Sequence, residues 1–181
     1  MSRFTLAITL SSITLLSAGV VWVTNIRAGS DPTGLAETSP QEPGLERYID
    51  SQNAFFFDFP KGLTVTVADE TDSRFVFGDT STGDTNFMVV SYPYELTEPL
   101  SEDVLLAQSS AADFIAPITR RSLPSGITAF LSQRARTPLG ATKDAFFVHD
   151  GIIYQVSVVM SLDNLLTQIL DSWRFAPPRP L

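Results

Sequence analysis

Apolar and polar residues alternate in short runs over much of the chain, with the period of two that is typical of β-strands. Phe55, Phe57 and Phe59 fall on one face of such a run, which ends at the turn residues 60–62. The same pattern predicts strands at residues 55–59, 63–67, 74–77, 87–92, 118–123, 127–136, 145–149 and 152–160, with 174–175 as a further short strand or packing segment. The run 87–92 is apolar on both faces, so we expect cover on both sides of the sheet.

Two segments change to the helical period of 3.6 residues. The first has acidic residues at its start, carries apolar residues as far as Ile115 and stops before Pro117. The second begins with Ser161 as a candidate cap and carries an apolar stripe that ends at Trp173. Each of these helices follows a group of four strands.

Turn sequences indicate how the strands are joined. Asp150-Gly151 lies between two alternating apolar runs, which is a strong hairpin signal, and residues 124–126 form a second hairpin-type turn. Because hairpins join antiparallel strands, the order of elements predicts the α+β class with a mainly antiparallel sheet.

The N-terminal segment predicts one transmembrane helix. Between Arg3 and Arg27 no residue is charged, and these 23 residues, numbers 4–26, span roughly 34 Å as a helix, enough to cross a bilayer core. We interpret residues 1–27 as an uncleaved membrane anchor. The alternative is a cleaved secretory signal, although Ile26 is a poor residue two places before a cut at Ala28.

The side of the membrane on which the folded domain lies is predicted less directly, since one arginine flanks each end of the segment. Short N-terminal tails normally stay inside, so we expect a single-pass protein of the cell membrane whose C-terminal domain is extracytoplasmic. Residues 28–47 are rich in proline, glycine and acidic residues and predict a flexible linker. The folded domain is predicted at residues 48–175, followed by a proline-rich tail at 176–181.

Composition narrows the classes of function. Twelve basic and twenty acidic residues give a net charge of −8, which argues against nucleic-acid binding. The chain has no cysteine and one histidine, which excludes disulfides, thiolate zinc sites and any site with several histidine ligands. We predict no catalytic residues, no cofactor and no metal.

Two features invite a chemical interpretation and are better explained structurally. His149 precedes Asp150, but neighbours along a strand point to opposite faces, so we interpret this histidine as a residue that flanks a turn. Acidic residues gather between predicted strands, where a solvated loop is favoured over a calcium site; they are Asp69, Glu70, Asp72, Asp79 and Asp84. The sequence selects no pair of carboxylates for hydrolysis.

Basic residues are concentrated in one predicted hairpin. Arg120, Arg121, Arg134 and Arg136 fall within it, and arginine is enriched at protein interfaces because its planar fork binds carboxylates. We predict that these four arginines bind a protein partner. The alternative is a solvated edge hairpin whose charges prevent pairing between sheets.

The two ends of the predicted domain resemble the PsbP-like family. The start has an aromatic strand that closes in a Pro-x-Gly turn at 55–62, and the end has Gly-x-x-Tyr at 151–154 followed by a helix that closes in Ile-Leu-x-Ser-aromatic-x-Phe at 169–175. The resemblance covers residues 48–175. It implies an α/β/α sandwich around an antiparallel sheet, and a role like that of the family's non-enzymatic extrinsic subunits and assembly factors.

Together these features predict a membrane-anchored, extracytoplasmic, non-catalytic domain that binds a protein or supports assembly of a membrane complex. Two alternatives stay open. A cell-surface hydrolase would need two carboxylates facing each other in a cleft. A small-ligand carrier would need a cavity between sheet and helix.

Overall fold

The computed structural model describes residues 44–50, 55–69, 74–79, 82, 84–108 and 113–175. The predicted membrane segment 4–26, nearly all of the predicted linker and the tail 176–181 lie outside these residues. Within the described residues, no helix has the length and hydrophobicity that a membrane crossing requires.

The described chain contains ten strands and two α-helices. In order they are β1 (Leu45–Asp50), β2 (Phe55–Pro60), β3 (Thr64–Asp69), β4 (Arg74–Asp79), β5 (Asp84–Pro93), α1 (Glu102–Gln108), β6 (Thr119–Ser122), β7 (Thr128–Thr137), β8 (Gly140–His149), β9 (Ile152–Val159), α2 (Asp163–Ser172) and β10 (Arg174–Phe175). A short 3₁₀ turn, Met160–Leu162, leads into α2. The fold is α+β, as the sequence predicts.

Seven strands form one antiparallel sheet in the order β3-β4-β5-β9-β8-β7-β6. Its central strand, β9, pairs with β5 on one side and with β8 on the other, and the β5–β9 pairing brings the two halves of the chain together. The predicted hairpin between β8 and β9 is present. Asp150 and Gly151 both have positive φ, 48° and 74°, the geometry that suits the twist of a tight hairpin.

A second, three-stranded sheet of order β1-β2-β10 lies beside the first and was not separated from it by the sequence pattern. The aromatic residues Phe55, Phe57 and Phe59 of β2 are all buried. Phe57 packs edge-on against Phe77 of the large sheet at a centroid distance of 5.6 Å and stacks on Trp173 at 5.0 Å. The small sheet and α2 therefore close one face of the large sheet with an aromatic core.

The opposite face of the large sheet has a smaller apolar cluster. Leu105 of α1 and Ile118 are buried with Phe130 of β7 and Phe146 of β8. The large sheet is therefore covered on both faces, as the two-faced apolar strand predicts.

Several boundaries differ from the sequence expectations. β5 and β8 begin at Asp84 and Gly140, before the predicted starts at residues 87 and 145. β1 begins at Leu45, inside the predicted linker 28–47. It pairs with β2, and Arg47 donates two hydrogen bonds to the Asp58 carboxylate, at 2.7 and 3.0 Å. The start of α2 also differs, because Leu162 occupies the cap position and no side chain caps the helix, so Ser161 does not take the predicted role.

The first helix is shorter than its apolar spacing predicts. α1 ends at Gln108, whereas the pattern continues to Ile115. Phe114 instead forms a β-bridge with Arg134, and the Ile115 backbone N–H donates to the Gln133 carbonyl at 2.9 Å. Pairing with β7 satisfies these backbone groups, so tertiary context overrides the local helical pattern.

Candidate functional site

The four predicted partner-binding arginines do not form one patch. Strand register places Arg120 opposite Phe130 and Arg121 opposite Ala129. Neighbouring residues of a strand point to opposite faces, so Arg120 lies on the α1 side of the large sheet and Arg121 on the α2 side. The predicted hairpin is present as β6 and β7, but its arginines lie on two opposite faces of the sheet.

Arg121 connects the hairpin to α2. Its Nη2 donates a hydrogen bond to the Asp171 carboxylate near the C-terminal end of that helix, and both side chains are partly exposed. An exposed ion pair contributes about 0.2–1 kcal/mol, so the contact chiefly fixes where the guanidinium lies.

The other three arginines have different surroundings. Arg120 is exposed and lies over the Phe130 ring at 5.4 Å. Arg136 is exposed as well. The Arg134 side chain is mostly buried, and its Nε lies 4.0 Å from the Asp144 carboxylate, so this arginine lies inside the domain beside an acidic group.

Asp144 is the centre of a buried polar cluster on the α1 side of the sheet. It has no exposed surface, and Thr142 donates its hydroxyl to the carboxylate at 3.2 Å. Burial raises the pKa of Asp144, while hydrogen bonds from Ser157 and the charge of Arg134 act in the opposite direction. Because its carboxylate is sealed from solvent, Asp144 cannot contact a substrate unless its cover opens.

The carboxylate of Asp58, in the three-stranded sheet, is also buried and also lies beside an arginine. It accepts both hydrogen bonds from Arg47 described above. Asp58 and Asp144 are thus each held beside an arginine. The hydrolase alternative gains no support from these two groups.

The histidine neighbourhood corrects one expectation. His149 Nε2 lies 3.5 Å from the Asp150 carboxylate, although alternation along a strand predicts the two side chains on opposite faces. Alternation holds for an extended backbone, whereas Asp150 has a positive φ of 48°. The His149 ring packs on Phe175 with centroids 3.8 Å apart, which fits its interpretation as a residue that flanks the turn.

The predicted acidic loops are described only in part. Asp79 and Asp84 are register partners at the end of the β4–β5 pair, while Glu70 and Asp72 lie outside the described residues. In the part of the chain that the structure describes, no three His, Cys, Asp or Glu side chains are grouped to hold a metal ion.

A groove that the sequence pattern does not predict lies between α2 and the outer strands of the large sheet. α2 packs on β2, β9 and β8, so the same face of β6 and β7 extends beyond the helix. The groove has a volume of about 430 Å³. It is lined by Ala116, Pro117, Thr119, Arg121, Leu131, Ser132, Gln133, Lys143, Leu166, Thr167 and Leu170. This volume lies within the range of about 300–1,000 Å³ that is usual for ligand pockets.

The lining of the groove, here called the α2 groove, combines an apolar wall with positive charge. Leu131 of β7 faces Leu166 and Leu170 of α2, and Arg121 and Lys143 provide two cations. Among the described residues that line it, none is acidic, although the chain as a whole carries a net charge of −8. The period of two in β6 and β7 predicts which of their residues share a face. The sequence does not reveal how far α2 extends over that face.

Comparison with known proteins defines the class of fold. No family model matches the chain, and no curated protein matches it in sequence. Among solved structures, PsbP (CyanoP) from the cyanobacterium Synechocystis sp. PCC 6803 is similar over 76% of this chain and 95% of its own, with a TM-score of 0.51 and 14% identity. The chain thus has a PsbP-like α+β fold.

Two further structures are similar at lower identity. A protein from Bacteroides thetaiotaomicron matches 74% of this chain, with a TM-score of 0.51 and 8% identity, and this chain spans about half (49%) of its length. The Ran-binding protein Mog1p from Saccharomyces cerevisiae matches 72% of this chain and 95% of its own, with a TM-score of 0.45 and 9% identity.

Proposed function

We propose that this chain is a non-catalytic domain that binds a protein partner or supports assembly of a membrane complex. Residues 4–26 anchor it in the cell membrane, and the domain lies on the extracytoplasmic side. The observation that carries the proposal is the similarity to cyanobacterial PsbP over 95% of that protein, because it extends the resemblance from the motifs at the two ends of the domain to the fold between them.

The construction of the domain supports a binding role. Large aromatic side chains fill the space between the sheets, and the two buried carboxylates of Asp58 and Asp144 each lie beside an arginine. Among the described residues, the α2 groove is a concave feature of the surface that offers apolar area and positive charge. Such a surface suits recognition of another macromolecule more directly than bond cleavage.

Partner binding is tested by affinity capture of the full chain at native expression from mild-detergent extracts, with quantitative mass spectrometry. We expect one protein to be recovered in near-stoichiometric amount and to be lost when the same membranes are extracted with a denaturing detergent. Recovery of the full chain alone from mild extracts would contradict the proposal.

The anchor and its orientation are tested by reporters fused after Leu181. A phosphatase that is active only outside the cytoplasm should be active, whereas a reporter that fluoresces only inside should stay dark. As a matched control, removal of residues 4–26 should abolish phosphatase activity and release the domain from the membrane fraction. A mature N-terminus near Ala28 would instead show that the segment is a cleaved signal.

A further inference from the structure

We infer that the α2 groove is the partner-binding site, and that it takes a protein segment with an apolar side chain next to a carboxylate. This inference rests on the proposed function and names the chemistry of the partner. The apolar side chain would lie against Leu131 and Leu166, and the carboxylate would bind Arg121.

The position of α2 explains why the groove is open to a partner. The helix covers the inner strands β8 and β9 of its face, whereas the outer hairpin β6–β7 extends past it. Leu131 of that hairpin is only partly buried, so its apolar surface is not fully used within the domain. A partner side chain placed between Leu131 and α2 would remove this surface from water, which is favourable.

The charge of the groove lining favours a partner segment that carries negative charge. Arg121 and Lys143 lie in the lining, whose described residues include no acid, and the Asp171 carboxylate that pairs with Arg121 lies at the border of the groove. Cationic lining in a concave surface attracts anionic groups and disfavours basic ones. A segment rich in lysine is therefore a poor occupant, whereas one with aspartate or glutamate is favoured.

Arg121 is held in a suitable position for this contact. Its Nη2 already donates to Asp171, which fixes the guanidinium at the border between β6 and α2. A guanidinium has five N–H donors in a rigid fork, so further donors stay available for a second carboxylate. Asp171 acts here as a positioning residue, and Arg121 makes the contact.

Site-specific photocrosslinking in the full chain, in its own membranes, tests the inference. A benzophenone amino acid replaces Thr119, an exposed lining residue, or Thr128, an exposed residue on the opposite face of the same hairpin. We expect adducts from position 119 only, and mass spectrometry of the adducts should identify one protein segment that carries an apolar residue beside an aspartate or glutamate.

A charge change in the groove provides the matched test. Thr167→Glu places a negative charge in the lining, whereas Thr128→Glu places the same charge on the exposed opposite face of the β6–β7 hairpin. We expect Thr167→Glu to reduce the crosslink yield from position 119 by about tenfold or more, since like charges facing each other are strongly unfavourable. Thr128→Glu should leave the yield unchanged.

Several outcomes would overturn the inference. They are equal adducts from positions 119 and 128, a lipid adduct, an adduct to a small molecule or a second copy of this chain, a basic partner segment, or no effect of Thr167→Glu. If affinity capture still recovers a partner in these cases, the proposed function stands and only the α2 groove is excluded. If capture recovers none, the proposed function fails as well.

Discussion

At the scale of single residues, Trp173 is the contact between the two ends of the domain. Its ring is fully buried and stacks on Phe55 and Phe57 of β2, with centroids 4.7 and 5.0 Å away. The same ring meets Phe147 of the large sheet edge-on at 5.1 Å. Its Nε1 finds no hydrogen-bond partner among the described residues, so packing provides its contribution to stability.

Trp173→Ala should therefore lower the free energy of unfolding of the domain by about 3–5 kcal/mol, the usual cost of removing a large core aromatic. Trp173→Phe should cost less than half as much, because it keeps a stacked ring and removes the unpaired N–H. Urea unfolding followed by circular dichroism measures both. Equal losses for the two variants would show that ring stacking contributes little.

A second prediction at this scale concerns pH. Burial raises the pKa of Asp144 in the folded state, so between the ordinary aspartate pKa of about 3.9 and that raised value the folded protein binds more protons than the unfolded one. The stability that the Asp144 carboxyl contributes is therefore present at low pH. It is lost as pH rises from about 3.9 through the raised pKa.

Asp144→Asn keeps a similar shape and cannot ionise. The free energy of unfolding of the variant, relative to wild type, should increase as pH rises from below 3.9 to neutrality, and titrations shared by both proteins cancel in the difference. Urea unfolding at a series of pH values gives this comparison. A relative stability that stays constant or falls with rising pH would contradict a raised pKa.

At the scale of elements, local sequence patterns predict most of the strands. The remaining boundaries depend on backbone pairing with strands that are distant in sequence. The alternation in β9 and the Asp150-Gly151 turn predict the β8–β9 hairpin, because period and turn geometry are local properties. β1 was missed because its residues 45–47 read as a polar linker, and its place depends on the distant Asp58. The early end of α1 likewise depends on pairing with β7, which no local pattern contains.

The hairpin turn provides a test of local geometry. Gly151 has φ of 74°, and a Cβ there would meet no other atom, so the cost of Gly151→Ala is purely one of backbone conformation. We expect the variant to lose about 1–2 kcal/mol of unfolding free energy. Ser125→Ala, in the exposed turn between β6 and β7, should change stability by less than about 0.5 kcal/mol and serves as the control. Thermal unfolding of both variants measures these losses. A loss for Gly151→Ala no larger than that for Ser125→Ala would contradict the prediction.

At the scale of the whole molecule, the sequence indicates the class of fold better than the site. The motifs at residues 55–62 and 151–175 resemble PsbP-like domains, and the whole-domain similarity confirms the fold. The four arginines were recognised, but strand register sends them to different surfaces, and only Arg121 enters the α2 groove. The groove itself depends on where a helix lies on a sheet, which neither composition nor spacing specifies.

Binding to a partner at the membrane is the central claim, and the native mass of the full chain tests it most directly. The protein alone has a mass of 19.8 kDa. Native mass spectrometry after mild-detergent extraction should find it in a complex with one other protein, with little free chain. A dominant species at 19.8 kDa, or at a multiple of it, would contradict the account.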